Sequence, residues 1–170
     1  MLSKPIIIVS GEPNSIFFEI FFKTLKKNKF KKSIILIGSI SLLKLQMKKL
    51  KFKRKINQIN ISNLKNYKLN NQSINIIDVP YNPNKAFEKI SIKSKNYIEN
   101  SFKIAFKIIN DGVADRLISG PISKKSFLNK KFLGVTEYIS NNFRTKKYAM
   151  LIFNKKLSVC PLTTHLPLKN

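Results

Sequence analysis

Four short stretches of this chain combine residue types that can handle a ligand. Gly11-Glu12-Pro13 follows an apolar run. It therefore sits where a parallel strand hands over to a helix, the edge at which α/β proteins bind ligands, although a plain tight turn reads the same way. Ser119-Gly120-Pro121-Ile122-Ser123-Lys124 also follows an apolar run. Its glycine allows close backbone approach, the amides that open a helix favour an anion, and Lys124 adds positive charge. A turn carrying one surface lysine is the other reading. Gly134-Val135-Thr136-Glu137-Tyr138 offers the Thr136 hydroxyl either to a ligand or as a helix cap. Thr163-Thr164-His165-Leu166-Pro167-Leu168 contains the single histidine. One histidine cannot build a zinc site by itself, and a structural role for it stays open on local grounds.

The elements that must position these stretches alternate in type. Ile6-Ile7-Ile8-Val9 is a continuous β-branched run, the pattern of a strand buried on both faces. Asn14 or Ser15 is placed to cap a helix whose Phe17, Phe18, Phe21, Phe22 and Leu25 recur at helical spacing. Ser33–Ile37 reads as a second strand and Ser41–Leu50 as a second helix. From Lys51 to Asn84 the chain is rich in Asn and Lys and reads as loops with minor strands, one of them at Ser73–Val79. Asn82-Pro83-Asn84 then opens a long predicted helix from about Lys85 to Asn110, with Phe87, Ile90, Ile98, Phe102, Ala105, Phe106 and Ile109 on one face and Gly112 at C′. Ala114–Ser119 is a strand, and Ser123–Leu128 and Thr136–Phe143 are short helices. Lys147–Phe153 and Leu157–Leu162 form a hairpin around Asn154-Lys155-Lys156. Strands alternating with helices imply an α/β/α sandwich with a mostly parallel sheet.

Composition limits the function classes. A chain of 170 residues with 43% apolar content can bury roughly 70% of its unfolded surface. The net charge of +25 points at first to a small basic nucleic-acid-binding protein. Yet Lys, Ile and Asn fill 74 positions, the types whose codons an AT-rich genome favours, and the lysines are scattered. Arg, whose planar fork reads bases and phosphates, appears three times. Nucleic acid is therefore the second reading. One cysteine, Cys160, excludes an internal disulfide and a cysteine metal cluster, and its apolar surroundings predict a packing role. The hydrophobic runs Pro5–Val9 and Ser33–Ile37 are far shorter than the ~20 residues of a membrane span, and the start has no signal-peptide pattern. A soluble cytoplasmic protein is expected.

Taken in order, the four stretches resemble the 4-hydroxythreonine-4-phosphate dehydrogenase family, from about residue 5 to residue 170. Its members begin with Gly-Asp/Glu-Pro-Ala-Gly-Ile-Gly-Pro-Glu, matched by Gly11 to Glu19. They continue with Thr-Gly-Pro-Ile-Asn-Lys, matched by Ser119 to Lys124, and Gly-His-Thr-Glu, matched by Gly134 to Glu137. Thr-Thr-His-Leu-Pro-Leu is unchanged at Thr163 to Leu168, and is the most specific of the set.

The resemblance implies an isocitrate/isopropylmalate dehydrogenase-like fold and oxidation of the secondary alcohol of 4-phosphooxy-L-threonine by NAD, in vitamin B6 synthesis. It implies a divalent metal (Zn, Mg or Co) that polarises the hydroxyl as a Lewis acid. By the same route His165 is a metal ligand, Thr136 binds substrate and Lys124 lies near the active site. Val135 replaces the family's substrate-binding histidine and cannot hydrogen-bond a phosphate or carboxylate. Ser15 and Phe17 replace two family glycines. The family's other two metal histidines, its NAD-binding segment and most substrate contacts have no counterpart here. The expectation is thus a single segment, 1–170, that corresponds to the N-terminal half, is truncated and inactive alone, and works as a homodimer or with a complementing C-terminal chain.

Overall fold

The computed structural model describes residues 4–67, 69–128, 131–145 and 147–163. The chain divides into two compact units, Met1–Phe127 and Leu128–Asn170.

The first unit is built on a five-stranded sheet in the order β3-β4-β2-β1-β5, parallel throughout. The strands are β1 (Ile6–Val9), β2 (Ile34–Gly38), β3 (Ile56–Gln58), β4 (Ile74–Asp78) and β5 (Arg116–Ser119). β1 is interior, between β2 and β5, with Ile8 opposite Leu36 on one side and Ile118 on the other. Helices α1 (Phe17–Lys27) and α2 (Ile40–Lys49) lie on one face. There Phe18, Phe21, Phe22, Leu42 and Leu43 pack with Ile8, Ile34, Leu36, Ile74 and Ile76. Full burial of each such side chain stabilises the fold by about 1.5–3 kcal/mol. α3 (Lys95–Asn110) contacts β1 and β2. Side chains alternate along a strand, so Ile7, Val9, Ile35 and Ile37 meet α3 on the opposite face.

The direction of strand addition explains this two-sidedness. From β1 through β2 the chain moves one way across the sheet to β3 at its edge, steps back to place β4 between β2 and β3, then returns past β1 to add β5. Crossovers of one hand place helices on opposite faces when that direction reverses. The loop after β1 leads to α1. The loop after β5 leads to a single π-type turn (Lys124–Leu128) whose Phe127 ring lies 6.0 Å from Phe102 of α3. Adjacent strands whose loops leave toward opposite faces define a switch point, where α/β sheets form their binding crevice.

Three predicted elements differ. The strand expected as minor at Ser73–Val79 is interior to the sheet as β4. Its polar Asn75 is 3% exposed because its amide donates to the Ile34 and Asn70 carbonyls. The helix expected from Lys85 starts only at Lys95. Side chains from elsewhere satisfy the segment before it. The Glu88 amide donates to Asn14 Oδ1 at 3.0 Å, and Gln46 Nε2 donates to the Ala86 carbonyl at 2.7 Å. Phe87 and Ile90 consequently lie exposed rather than on a packed helix face. Ile16, not Asn14 or Ser15, holds the cap position of α1; Ser15 Oγ accepts the Phe17 amide at 3.3 Å.

The second unit holds α4 (Val135–Asn142) and a hairpin of β6 (Ile152–Phe153) and β7 (Ser158–Val159), shorter than its sequence predicted. The Asn154 amide donates to the Leu157 carbonyl at 3.1 Å, which closes the turn. Cys160 is exposed rather than packed. A two-stranded ribbon has no interior to receive it.

Candidate functional site at the carboxyl edge of the parallel strands

Two of the motifs meet at the switch point. The Gly120 amide donates to the Val9 carbonyl at 2.7 Å, and the Glu12 amide to the Pro121 carbonyl at 2.8 Å. These bonds extend the β1–β5 pairing one step beyond the strands and fix both loops. The glycines are required for it. Gly11 has φ +73, and a Cβ there would collide with the Pro121 carbonyl oxygen. A Cβ on Gly120 would collide with the Ser10 carbonyl.

A polar cluster lies beneath this edge. Tyr97 Oη is 2.7 Å from Ser10 Oγ and accepts the Ser39 amide at 3.2 Å. Burial pushes the Tyr97 phenol up to about 12, so it stays neutral and acts as a hydrogen-bonding strut. Ser39 caps α2 by accepting the Leu42 amide at 3.2 Å, and Asp78 Oδ1 accepts the Ile40 amide at 2.8 Å. A carboxylate at a helix N-terminus is favoured by the dipole.

Residues 80–94 form a strap tied to this edge by side-chain hydrogen bonds. The Ser39 hydroxyl donates to the Tyr81 carbonyl at 3.2 Å. Gln46 Nε2 also donates to Pro13, and so joins the strap to the β1–α1 loop. Glu12, 2% exposed, lies with Oε2 at 2.9 Å from Ser94 Oγ, while its Oε1 has no protein partner. Burial raises its carboxyl above the ordinary glutamate value, more than the Ser94 and Asn14 contacts lower it.

The sequence-derived site residues distribute as follows. Lys124 opens the π-type turn and is exposed. Val135 and Thr136 are the first two residues of α4, half-buried in the second unit. Gly134 holds the cap position there and no side chain caps the helix, so Thr136 is not the cap. Glu19 forms a surface pair with Lys23 at 2.6 Å. His165 lies outside the described residues. Among the described residues no three His, Cys, Asp or Glu side chains gather into a metal cluster, so they do not by themselves fit a complete divalent-metal site. Tyr97, Ser39, Gln46 and Ser94 were not singled out in the sequence. A polar residue on an apolar helix face, as Tyr97 is, was the available signal.

Fold and edge together define a doubly wound α/β protein whose candidate site lies at the carboxyl ends of its strands. The chain belongs to the family of the pyridoxal phosphate biosynthetic protein PdxA, whose model matches residues 30–170. A 4-hydroxythreonine-4-phosphate dehydrogenase of Sulfurihydrogenibium sp. (strain YO3AOP1) is 32% identical over 96% of this chain and 50% of its own. That of Aquifex aeolicus (strain VF5) is 30% identical over 99% of this chain and 52% of its own. The crystal structure of the Klebsiella pneumoniae 4-hydroxythreonine-4-phosphate dehydrogenase superposes with a TM-score of 0.82 at 22% identity, over 98% of this chain and 52% of that one. The Burkholderia phymatum structure of the same name gives 0.81 at 21% identity, over 97% and 51%. These structures share the fold. The chain spans about half the length of the relatives it matches. No helix among the described residues is long and apolar enough to cross a membrane.

Proposed function

We propose that the chain supplies the N-terminal, substrate-holding half of a cytoplasmic dehydrogenase that oxidises 4-phosphooxy-L-threonine with NAD in vitamin B6 synthesis. The observation that carries this reading is the match of nearly the whole chain to half of proteins named 4-hydroxythreonine-4-phosphate dehydrogenase. The four motifs in family order support it. In this reading Thr136 hydrogen-bonds the substrate, Lys124 attracts its anionic groups and His165 is one metal ligand. The remaining metal ligands and the NAD-binding half come from a complementing chain. The working enzyme is a dimer or a two-chain assembly. Val135, in place of a histidine, removes one polar contact, so substrate binds less tightly than in relatives that keep it.

The test is rescue of a bacterium that needs vitamin B6 because its own enzyme is deleted. Co-expression of this chain with the C-terminal half of the Sulfurihydrogenibium relative restores growth, and the Thr136→Ala chain restores it less. Absence of rescue by the pair, where the full-length relative rescues, overturns the proposal.

A further inference from the structure

We propose that the amino edge of the parallel sheet, opposite the candidate site, docks the phosphate backbone of double-stranded nucleic acid. The inference concerns the first unit alone and does not depend on the reaction proposed above.

Charge is divided unevenly along the chain. Residues 20–77 hold fifteen of the 33 cationic residues and none of the eight acidic ones. A bias toward lysine codons explains many lysines, but not the absence of acids over the same stretch. The fold then concentrates this charge. Between parallel strands each crossover helix runs back, so its end meets the start of the next strand at the amino edge. Residues 26–32, between α1 and β2, and residues 48–55, between α2 and β3, both reach that edge. Together they carry eleven cationic side chains.

Hydrogen bonds hold the two segments side by side. Arg54 donates to the Leu25 carbonyl at the end of α1 at 3.2 Å, and to the Asn71 and Gln72 carbonyls before β4 at 2.6 and 3.1 Å. Asn71 Nδ2 donates to the Phe30 and Lys32 carbonyls at 3.1 and 2.7 Å. A concavity of about 550 Å³ opens there, lined in part by Lys26, Lys27, Lys29 and Arg54. Lys27, Lys29, Lys31, Lys53 and Lys55 are exposed. Among the described residues none of the eleven has an acidic partner. The helix dipoles favour four of them, Lys26 and Lys27 on α1 and Lys48 and Lys49 on α2. The other seven lie beyond the helix ends and repel one another unless a polyanion arrives.

The chemistry of the edge selects the polyanion. Base reading is excluded, because Arg54 already serves three carbonyls and lysine acts on phosphate as a point charge. Single strands are held by stacking on exposed rings. Here Phe30 is half-buried, and Phe52 is buried and stacked on Phe22 at 4.3 Å. A membrane surface calls for apolar anchors, and among the described residues no large exposed apolar side chain falls between residues 21 and 86. A duplex needs neither rings nor anchors. It carries one charge per about 1.7 Å and gains by releasing counterions to lysine. Bound there, it leaves the carboxyl edge open.

The test compares two variants of equal net charge. One carries Lys27→Gln, Lys29→Gln, Lys31→Gln and Lys53→Gln; the other carries Lys85→Gln, Lys89→Gln, Lys93→Gln and Lys103→Gln. All eight positions are exposed, so both variants should fold. Binding to a mixed-sequence DNA duplex is measured from about 50 to 200 mM salt. The amino-edge variant loses affinity, and its log–log salt slope becomes shallower by about 0.9 for each phosphate contact removed. The other variant keeps the slope of the unaltered chain. Equal losses in both variants, no binding at the lowest salt, or tighter binding to phosphatidylserine vesicles than to the duplex overturns the proposal. If a variant does not fold, lysine acetylation of the unaltered chain decides: the duplex shields Lys27, Lys29 and Lys53 more than Lys89 and Lys103, and uniform shielding overturns the proposal.

Discussion

Tyr97 Oη stands 2.7 Å from Ser10 Oγ, so α3 is bolted to the end of β1 by one phenol. The same oxygen accepts the Ser39 amide from the end of β2. Tyr97→Phe keeps the ring and strands both partners in a dry interior. Removal of one partner from a buried polar group costs about 1–3 kcal/mol. Urea unfolding should show a loss in that range with an unchanged slope. A loss under about 0.5 kcal/mol would mean that water replaces the phenol.

Two glycines make a controlled comparison. Gly112 has φ +70 but open space around it, so Gly112→Ala meets backbone strain alone, about 1–2 kcal/mol. Gly120→Ala drives a Cβ into the Ser10 carbonyl and toward the Phe17 ring. Overpacking of this kind costs about 1–3 kcal/mol and occasionally more. Thermal unfolding should rank Gly120→Ala as the more damaging. Equal or reversed effects would contradict the close packing of the two loops.

The first of these sites was half legible in the sequence and the second fully so. Gly120 sits in a motif that already read as a close-approach turn. Tyr97 sits among apolar residues of a helix face, where an aromatic ring passes for core. The β-branched runs of β1 and β2 declared buried parallel strands because nothing interrupts them. β4 was obscured by Asn75, whose amide finds backbone acceptors that only the folded sheet provides. The strap was mistaken for helix because Phe87 and Ile90 have helical spacing. Its true course depends on Gln46 and Asn14, which lie about 40 and 74 residues away in sequence. Of the candidate site, the glycine turns were readable by local rules, whereas the buried Glu12–Ser94 contact spans 82 positions and was not.

Ser39 should matter beyond its size. It caps α2 and also holds the Tyr81 carbonyl of the strap. Ser39→Ala should cost about 1 kcal/mol as a lost cap. It should also raise hydrogen exchange in residues 80–94. Destabilisation without that local increase would separate the cap from the strap.

The charge of +25 makes its own forecast. Scattered lysines give non-specific binding, with Kd no tighter than roughly 1 μM at physiological salt and a steep salt dependence. Filter binding between about 50 and 200 mM salt measures it. Nanomolar, sequence-selective binding at the higher salt would favour a nucleic-acid-binding protein instead.

The most direct test of the central claim is NADH formation from NAD and 4-phosphooxy-L-threonine with a divalent metal present. Three preparations are compared: this chain, the C-terminal half of the Sulfurihydrogenibium relative, and the two co-expressed. The account predicts absorbance growth only in the third. Replacement of Thr136 by Ala should weaken substrate affinity there by roughly threefold to tenfold, the worth of one hydrogen bond. Turnover by the 170-residue chain alone, or none by the pair while the intact relative is active, would contradict the claim.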